Sequence, residues 1–219
     1  MASTLVDRFE TGDPQVQAYL QRLADDMAVA MELPDGMTIT VHYVEGEAVN
    51  ALATLGGHIV IYRGLLEAVE DENALAMVVA HEVAHIKHRD PIVALGRGVL
   101  VGTALAVVSG ASGNEAAGRL LGEASLLTGL SFSREQESAA DREALAALAK
   151  HYGHVGGATA IFERFRRDER EQGFSMPELF STHPGSGDRI VELRALAAGN
   201  GWPQDGKRKP LPEFLPGTG

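Results

Sequence analysis

The chain has 219 residues, of which 45% are hydrophobic, and its 30 acidic against 19 basic residues give a formal net charge of -11. A chain of this length can bury a substantial core as one domain, and its acidic balance argues against a nucleic-acid backbone as partner. It contains no cysteine, which excludes disulfides, thiolate metal clusters and cysteine nucleophiles, so any metal must be held by His, Asp or Glu.

The apolar spacing predicts a mainly helical chain that also contains a small sheet. Alternation with a period of two runs from Met37 to Arg63, and the glycine pair at 56–57 suits a hairpin turn, so we expect an antiparallel sheet. Helical spacing and helix-boundary signals predict helices over residues 14–32, 71–89, 133–150, 155–172 and 187–198. The predicted class is α+β, with one domain over residues 1–200 and an irregular tail over residues 201–219.

Two segments bear on where the protein works. The N-terminal sequence MASTLVDRFETGDPQ lacks the basic and apolar stretches of an export signal. The protein is then cytoplasmic, or it is periplasmic or peripheral to a membrane and an export signal has been removed. Residues Ile92 to Ala111 are strongly apolar, but Arg97 and several glycines interrupt them. A buried or lid-like helix is the preferred interpretation, followed by a peripheral membrane contact and then by a true span.

The segment HEVAH, residues 81–85, carries the pattern of a zinc peptidase. His81 and His85 are four residues apart in a predicted helix, so their rings share one face and can bind one ion. Glu82, rotated about 100° from His81, can act as general base on a zinc-activated water without being a ligand. Chance could produce this spacing, but ionisable groups in an otherwise apolar helix are costly to bury unless a metal compensates them.

Catalytic zinc usually has three protein ligands, so a third is expected outside HEVAH. The segment SREQESAADREAL places Glu137 and Asp141 one helical turn apart, beside alanines that allow close helix packing. We predict Glu137 as the ligand and Asp141 as the acceptor of the free ring N–H of His81. Glu135 is a rival ligand that points away from Glu137. An ordinary solvated acidic face is the remaining alternative.

Three ordered motifs, HEVAH, SREQESAADREAL and STHPGSGDRI, resemble the HtpX-like and CAAX-prenyl-endopeptidase-like gluzincins over about Asn50 to Leu196. The resemblance implies a zincin-type fold with Glu137 as third ligand and Asp141 as its companion. It also matches Asn50-Ala51 and GGHIVIYRGLL to the family's active-site edge strand. Many members carry transmembrane helices, whereas here only Ile92 to Ala111 is a weak candidate for one. A soluble, Oma-like or periplasmic quality-control type is therefore the nearer match.

The candidate substrate-binding strand comprises Val49, Asn50, Ala51, Leu52 and Ala53. An edge strand holds an extended polypeptide by main-chain hydrogen bonds that are largely blind to sequence. Alternation alone does not distinguish such a strand from a purely structural hairpin.

The resemblance further implies that His183 and Arg189 border the cleft. His183 is then either a ligand that occupies the open zinc position as a latch or a group that stabilises the tetrahedral oxyanion. Arg189 orients the substrate or a carboxylate. A loop histidine and an ordinary ion pair are the corresponding structural interpretations.

The motifs together predict a metalloendopeptidase with one zinc per chain that hydrolyses protein substrates in quality control, without indicating an oligomeric state. A chaperone-like or regulatory zinc-binding module is the alternative, but it has no use for Glu82. A helical interaction domain without metal would require HEVAH to be accidental.

Overall fold

The computed structural model describes residues 12–97, 100, 132–172 and 186–218. The helices and strands in chain order are α1 (Pro14–Ala30), β1 (Thr40–Val44), β2 (Ala51–Thr54), β3 (His58–Tyr62), α2 (Arg63–Ala68), α3 (Glu72–Lys87), α4 (Arg134–Tyr152), α5 (Ala160–Gln172) and α6 (Ser186–Gly199). Residues 90–97 form a further helical stretch shortly after α3. The predicted α+β class, mainly helical with a small sheet, is confirmed.

Helix α3 lies at the centre of the fold. Every residue of it except Lys87 is buried, because apolar residues occur on all its sides. The Asp71 side chain caps its start by accepting a hydrogen bond from the Ala74 amide at 2.8 Å. Helices α1 and α4 and strand β2 pack around it. A motif on α3 therefore lies inside the protein.

Helix α4 packs along α3 through small residues. Ser133 and Gln136 form both hydrogen bonds of a capping box at its start. Ala140 and Ala144 are fully buried, which lets the two helix backbones approach closely. Gly153 ends the helix with a φ of 75°, in the left-handed region that glycine favours.

The three strands form a mixed sheet in the order β1-β3-β2. Strands β2 and β3 are antiparallel and flank the predicted glycine turn, whereas β1 runs parallel to β3. The expectation of a wholly antiparallel sheet was therefore wrong for β1. Alternation reports which side chains are buried, and it carries no information on the direction or order of pairing.

Strand β2 forms one edge of this sheet, and its backbone groups point in two directions. The Tyr62 amide donates to the Asn50 carbonyl at 3.2 Å. Because backbone groups alternate along a strand, Leu52 also faces β3, while Ala51 and Ala53 turn their amides and carbonyls outward. In the described part of the chain, no further strand pairs with this outer edge.

The tail after α6 contains no helix or strand between residues 202 and 218, yet it packs against the helices. The Lys209 carbonyl accepts a hydrogen bond from the Glu72 amide at 2.9 Å, and Leu215 is buried in the core. The tail thus contacts the start of α3. The division into residues 1–200 and 201–219 stays a prediction.

Most of the apolar segment Ile92 to Ala111 lies outside the described residues. Its beginning belongs to the helical stretch 90–97, where Ile92 and Val93 are exposed. Among the helices that the structure describes, none combines the length and the apolar character needed to cross a membrane.

Candidate metal centre

The predicted metal ligands converge in the buried space between α3 and α4. His81 and His85 point their Nε2 atoms at each other, 2.9 Å apart. Glu137 on α4 faces both of them, with one carboxylate oxygen 3.3 Å from His81 Nε2 and the other 3.4 Å from His85 Nε2. All three side chains are buried. In the described part of the chain, this is the group of three residues whose donor atoms lie close enough to hold one metal ion.

These donors fit a zinc ion. Ligands about 2.0 to 2.1 Å from a tetrahedral zinc lie about 3.3 to 3.4 Å from one another. The two distances between histidine nitrogens and the carboxylate match this spacing, while the two Nε2 atoms lie nearer to each other at 2.9 Å. The set of two imidazoles and one carboxylate is typical of catalytic zinc. Both Nδ1 atoms are engaged by other carboxylates, which leaves the Nε2 atoms directed at the shared centre.

Asp141 holds the ring of His81. Its Oδ1 lies 2.9 Å from His81 Nδ1. Burial disfavours the charged imidazole, but hydrogen bonds with Asp141 and Glu137 outweigh that effect and raise the pKa of His81 to about 9. A metal ion would displace this proton, because ligand histidines bind in the neutral form.

Arg189 on α6 in turn holds Asp141. Its Nε and Nη2 atoms donate to the two carboxylate oxygens at 2.8 and 2.6 Å, the bidentate geometry that guanidinium groups favour. Burial raises the pKa of Asp141, but its contacts with His81 and Arg189 outweigh this and lower the pKa to about 2. Arg189 was expected to orient either the substrate or a carboxylate, and in the structure it binds the carboxylate of Asp141.

His85 has a partner that the sequence reasoning missed. Its Nδ1 lies 2.8 Å from Oδ2 of Asp90, and the Phe132 ring stacks on the imidazole with centroids 4.1 Å apart. In the sequence, Asp90-Pro91 directly follows the predicted helix 71–89 and by itself indicates only a helix stop. The available signal was a carboxylate five residues after a candidate ligand, but nothing in the spacing indicated that the chain turns back there.

Glu82 links the HEVAH helix to the edge strand. It is fully buried, and its Oε2 accepts a hydrogen bond from the Ala53 amide at 2.6 Å. The candidate substrate-binding residues therefore lie beside the candidate base. Asn50, directly before β2, is also buried, and its Oδ1 has no hydrogen-bond partner among the described residues.

Other predicted residues lie elsewhere. The rival ligand Glu135 is exposed, away from the buried centre. His88 lies at the C-cap of α3, and its Nε2 contacts Glu143 at 2.6 Å. His183 falls within residues 173–185, outside the described part of the chain.

The fold and this site define a metallopeptidase domain, and comparison with known proteins gives its family. A profile of Peptidase family M48 matches residues 14–197, so the chain belongs to that family. This confirms the resemblance to the gluzincin peptidase families.

Several curated proteins are similar to this chain. The putative beta-barrel assembly-enhancing protease of Vibrio cholerae is 27% identical over 194 residues, which cover 84% of this chain and 40% of that protein. The mitochondrial metalloendopeptidase OMA1 of Danio rerio is 30% identical over 195 residues, 83% of this chain and 39% of the relative. A protease HtpX homolog of Acidiphilium cryptum is 29% identical over 224 residues, with 84% and 77% covered. The chain thus spans less than half of the first two relatives.

Proposed function

We propose that this chain is a zinc-dependent endopeptidase that hydrolyses protein substrates, with one zinc held by His81, His85 and Glu137. One observation carries the proposal. Three buried metal-binding groups converge on one point, and the neighbouring carboxylate of Glu82 faces the edge strand β2. A site that only stored zinc would need the three ligands but not this adjacent carboxylate.

Zinc bound here would act as a Lewis acid that activates water and polarises a peptide carbonyl. The chain supplies the other functions. Glu82 accepts the proton of the attacking water and then delivers it to the leaving amine nitrogen. Asp141 and Arg189 orient the ring of His81, which keeps Nε2 available to the ion.

We propose that the substrate binds as an added strand along the outer edge of β2. Ala51 presents an outward amide and carbonyl, and Ala53 an outward carbonyl beside Glu82. Main-chain hydrogen bonds to this edge would place a peptide bond of an extended polypeptide next to the base. The buried Oδ1 of Asn50 offers one more acceptor for a substrate N–H.

The substrates are unfolded or extended proteins, since a strand-like site requires an extended chain. The names of two relatives refer to beta-barrel assembly and to mitochondria, which supports a role in protein quality control. We place the protein in the periplasm or at a membrane surface if an export signal precedes it, and otherwise in the cytoplasm. Peripheral membrane contact would involve Ile92 to Ala111.

Metal analysis and casein digestion test the proposal. The purified protein is expected to hold one zinc per chain and to cleave casein at internal peptide bonds. A chelator should stop cleavage, and added zinc should restore it. A protein that bound zinc and suppressed aggregation of unfolded casein without cutting it would be the chaperone-like module instead.

For His183 we propose a place at the cleft as a zinc latch. His183→Ala should then raise basal casein hydrolysis, because an imidazole that competes with water has been removed. If His183 stabilises the oxyanion, the same variant should lose turnover and keep its zinc. An unchanged hydrolysis rate would contradict both roles.

A further inference from the structure

Asp90 occupies an unfavourable place for a carboxylate. It is buried, 4% exposed, and it lies between the end of α3 and the helical stretch 90–97, of which it is the first residue. A carboxylate is held in such a place only if other groups compensate its burial. The compensating groups therefore indicate what Asp90 does.

The first compensating group is His85. Asp90 Oδ2 lies 2.8 Å from His85 Nδ1. A hydrogen bond from Nδ1–H fixes the imidazole as the tautomer whose free lone pair is on Nε2. That atom is the one that faces Glu137 and His81. Asp90 thus contacts Nδ1 of His85 in the same way as Asp141 contacts Nδ1 of His81.

The second compensating group is Gln136 on α4. Its Nε2 donates to Asp90 Oδ1 at 2.5 Å. Its Oε1 accepts from the Ser133 amide at 2.9 Å and from Arg97 at 3.1 Å. Both ends of this amide are therefore committed, and the amide orientation is fixed by its partners.

Gln136 directly precedes Glu137 in the chain. The first turn of α4 thus delivers a metal ligand and, one residue earlier, the group that holds Asp90. The capping box, which by itself only starts a helix, here connects the Ser133 amide through Gln136 and Asp90 to His85.

We infer that Asp90, held by Gln136, is a positioning residue that fixes the ring of His85 for metal binding. The inference rests on the zinc site of the proposed function. It adds a second carboxylate behind the ligands, so that each histidine of HEVAH has its own.

The test compares Asp90→Asn and Asp90→Ala with Glu143→Gln. Glu143 also contacts the end of α3, but through Lys87 and His88, so it is the matched control. Zinc affinity is measured by competition with a chromogenic chelator. Asp90→Asn should bind zinc about 10 to 100-fold more weakly, Asp90→Ala at least as weakly, and Glu143→Gln like the parent.

Two further readouts separate positioning from general stability. Cobalt substituted for zinc reports ligand geometry through its visible absorption, which should change in Asp90→Asn and not in Glu143→Gln. Thermal unfolding in the presence of a chelator should differ little between Asp90→Asn and the parent, because the substitution keeps the shape of the side chain.

Gln136 provides an independent variant. Gln136→Glu keeps an acceptor for the Ser133 amide but replaces the N–H that faces Asp90 by a second carboxylate oxygen, so zinc should bind more weakly. Ser133→Ala removes the other side chain of the capping box; it should lower the unfolding temperature and leave zinc affinity unchanged.

The outcomes distinguish this inference from the function beneath it. A parent protein that holds no zinc would overturn the proposed function. A parent that holds zinc and cleaves casein, together with an Asp90→Asn variant of equal zinc affinity and unchanged cobalt spectrum, would overturn only the role of Asp90.

Discussion

His81, His85 and Glu137 each present a donor to the same point, although they come from two helices. The histidines keep their Nδ1 atoms on Asp141 and Asp90, so the ring orientations are set by groups that are not ligands. The close packing of α4 against α3 brings Glu137 next to the two histidines. The hydrogen bonds behind the two rings orient both histidines, which lowers the ordering cost of binding a metal.

Glu137→Gln tests the third ligand. The substitution replaces an anionic oxygen donor by a neutral amide, so zinc affinity should fall. The loss should exceed the factor of about 10 to 100 that is typical when a residue behind a ligand is changed. Dialysis against a chelator, followed by metal analysis, measures the loss. Glu135→Gln is the control, because Glu135 is exposed on the same helix; equal zinc loss in both variants would return the assignment to an unspecific acidic face.

The element to which we assign substrate binding is β2. Along this strand, the backbone N–H and C=O groups face β3 and the outer edge in turn. Glu82 already accepts a hydrogen bond from one of the outward amides, that of Ala53. An extended peptide on this edge should pair through every second residue.

Peptides methylated at single backbone nitrogens test this pairing. Methylation removes one N–H without changing the side chain. Cleavage rates should therefore fall at alternating positions along the peptide, while zinc content stays constant. Equal sensitivity at all positions, or at none, would argue against an added strand.

At the same scale, the sequence predicted some elements and missed others for identifiable reasons. HEVAH and its helix could be predicted because the two histidines have helical spacing and, together with Glu82, are the residue types that a zinc peptidase requires. Glu137 could be predicted because it lies one helical turn from Asp141, beside alanines that allow its helix to pack closely against α3. Asp90 could not, because its contact with His85 depends on how the chain turns after α3, and the parallel direction of β1 depends on pairing that alternation does not encode.

At the scale of the molecule, the tail after α6 contacts the start of α3. Glu72 begins α3 and accepts hydrogen bonds from Lys209, Tyr19 and Tyr152 at 2.8 to 3.0 Å. Burial raises the pKa of the Glu72 carboxyl, but these hydrogen bonds outweigh it and hold the pKa below its usual range. A residue far along the chain thereby contacts the helix that carries HEVAH.

This contact predicts a pH dependence of stability. The lowered pKa means that Glu72 stabilises the fold above the unfolded glutamate pKa of about 4.3, and that this share is lost as pH falls through the lower folded value. Glu72→Gln should therefore be less stable than the parent near neutral pH and approach it in acid. Urea unfolding across this range measures the difference.

Glu213→Gln is the control for that titration, since Glu213 is an exposed residue of the same tail. Its stability should follow the parent at every pH. A constant difference between Glu72→Gln and the parent down to strong acid would contradict the role of the Glu72 charge.

The central claim is that zinc bound between α3 and α4, with Glu82 as the general base, gives the protein its peptidase activity. The most direct measurement is casein hydrolysis by Glu82→Gln loaded with zinc to the same content as the parent. The account predicts that hydrolysis falls by about 10² to 10⁴-fold while the zinc and the fold are retained, because the base is lost and every ligand remains. A zinc-loaded variant that cleaved casein at the parent's rate would contradict it.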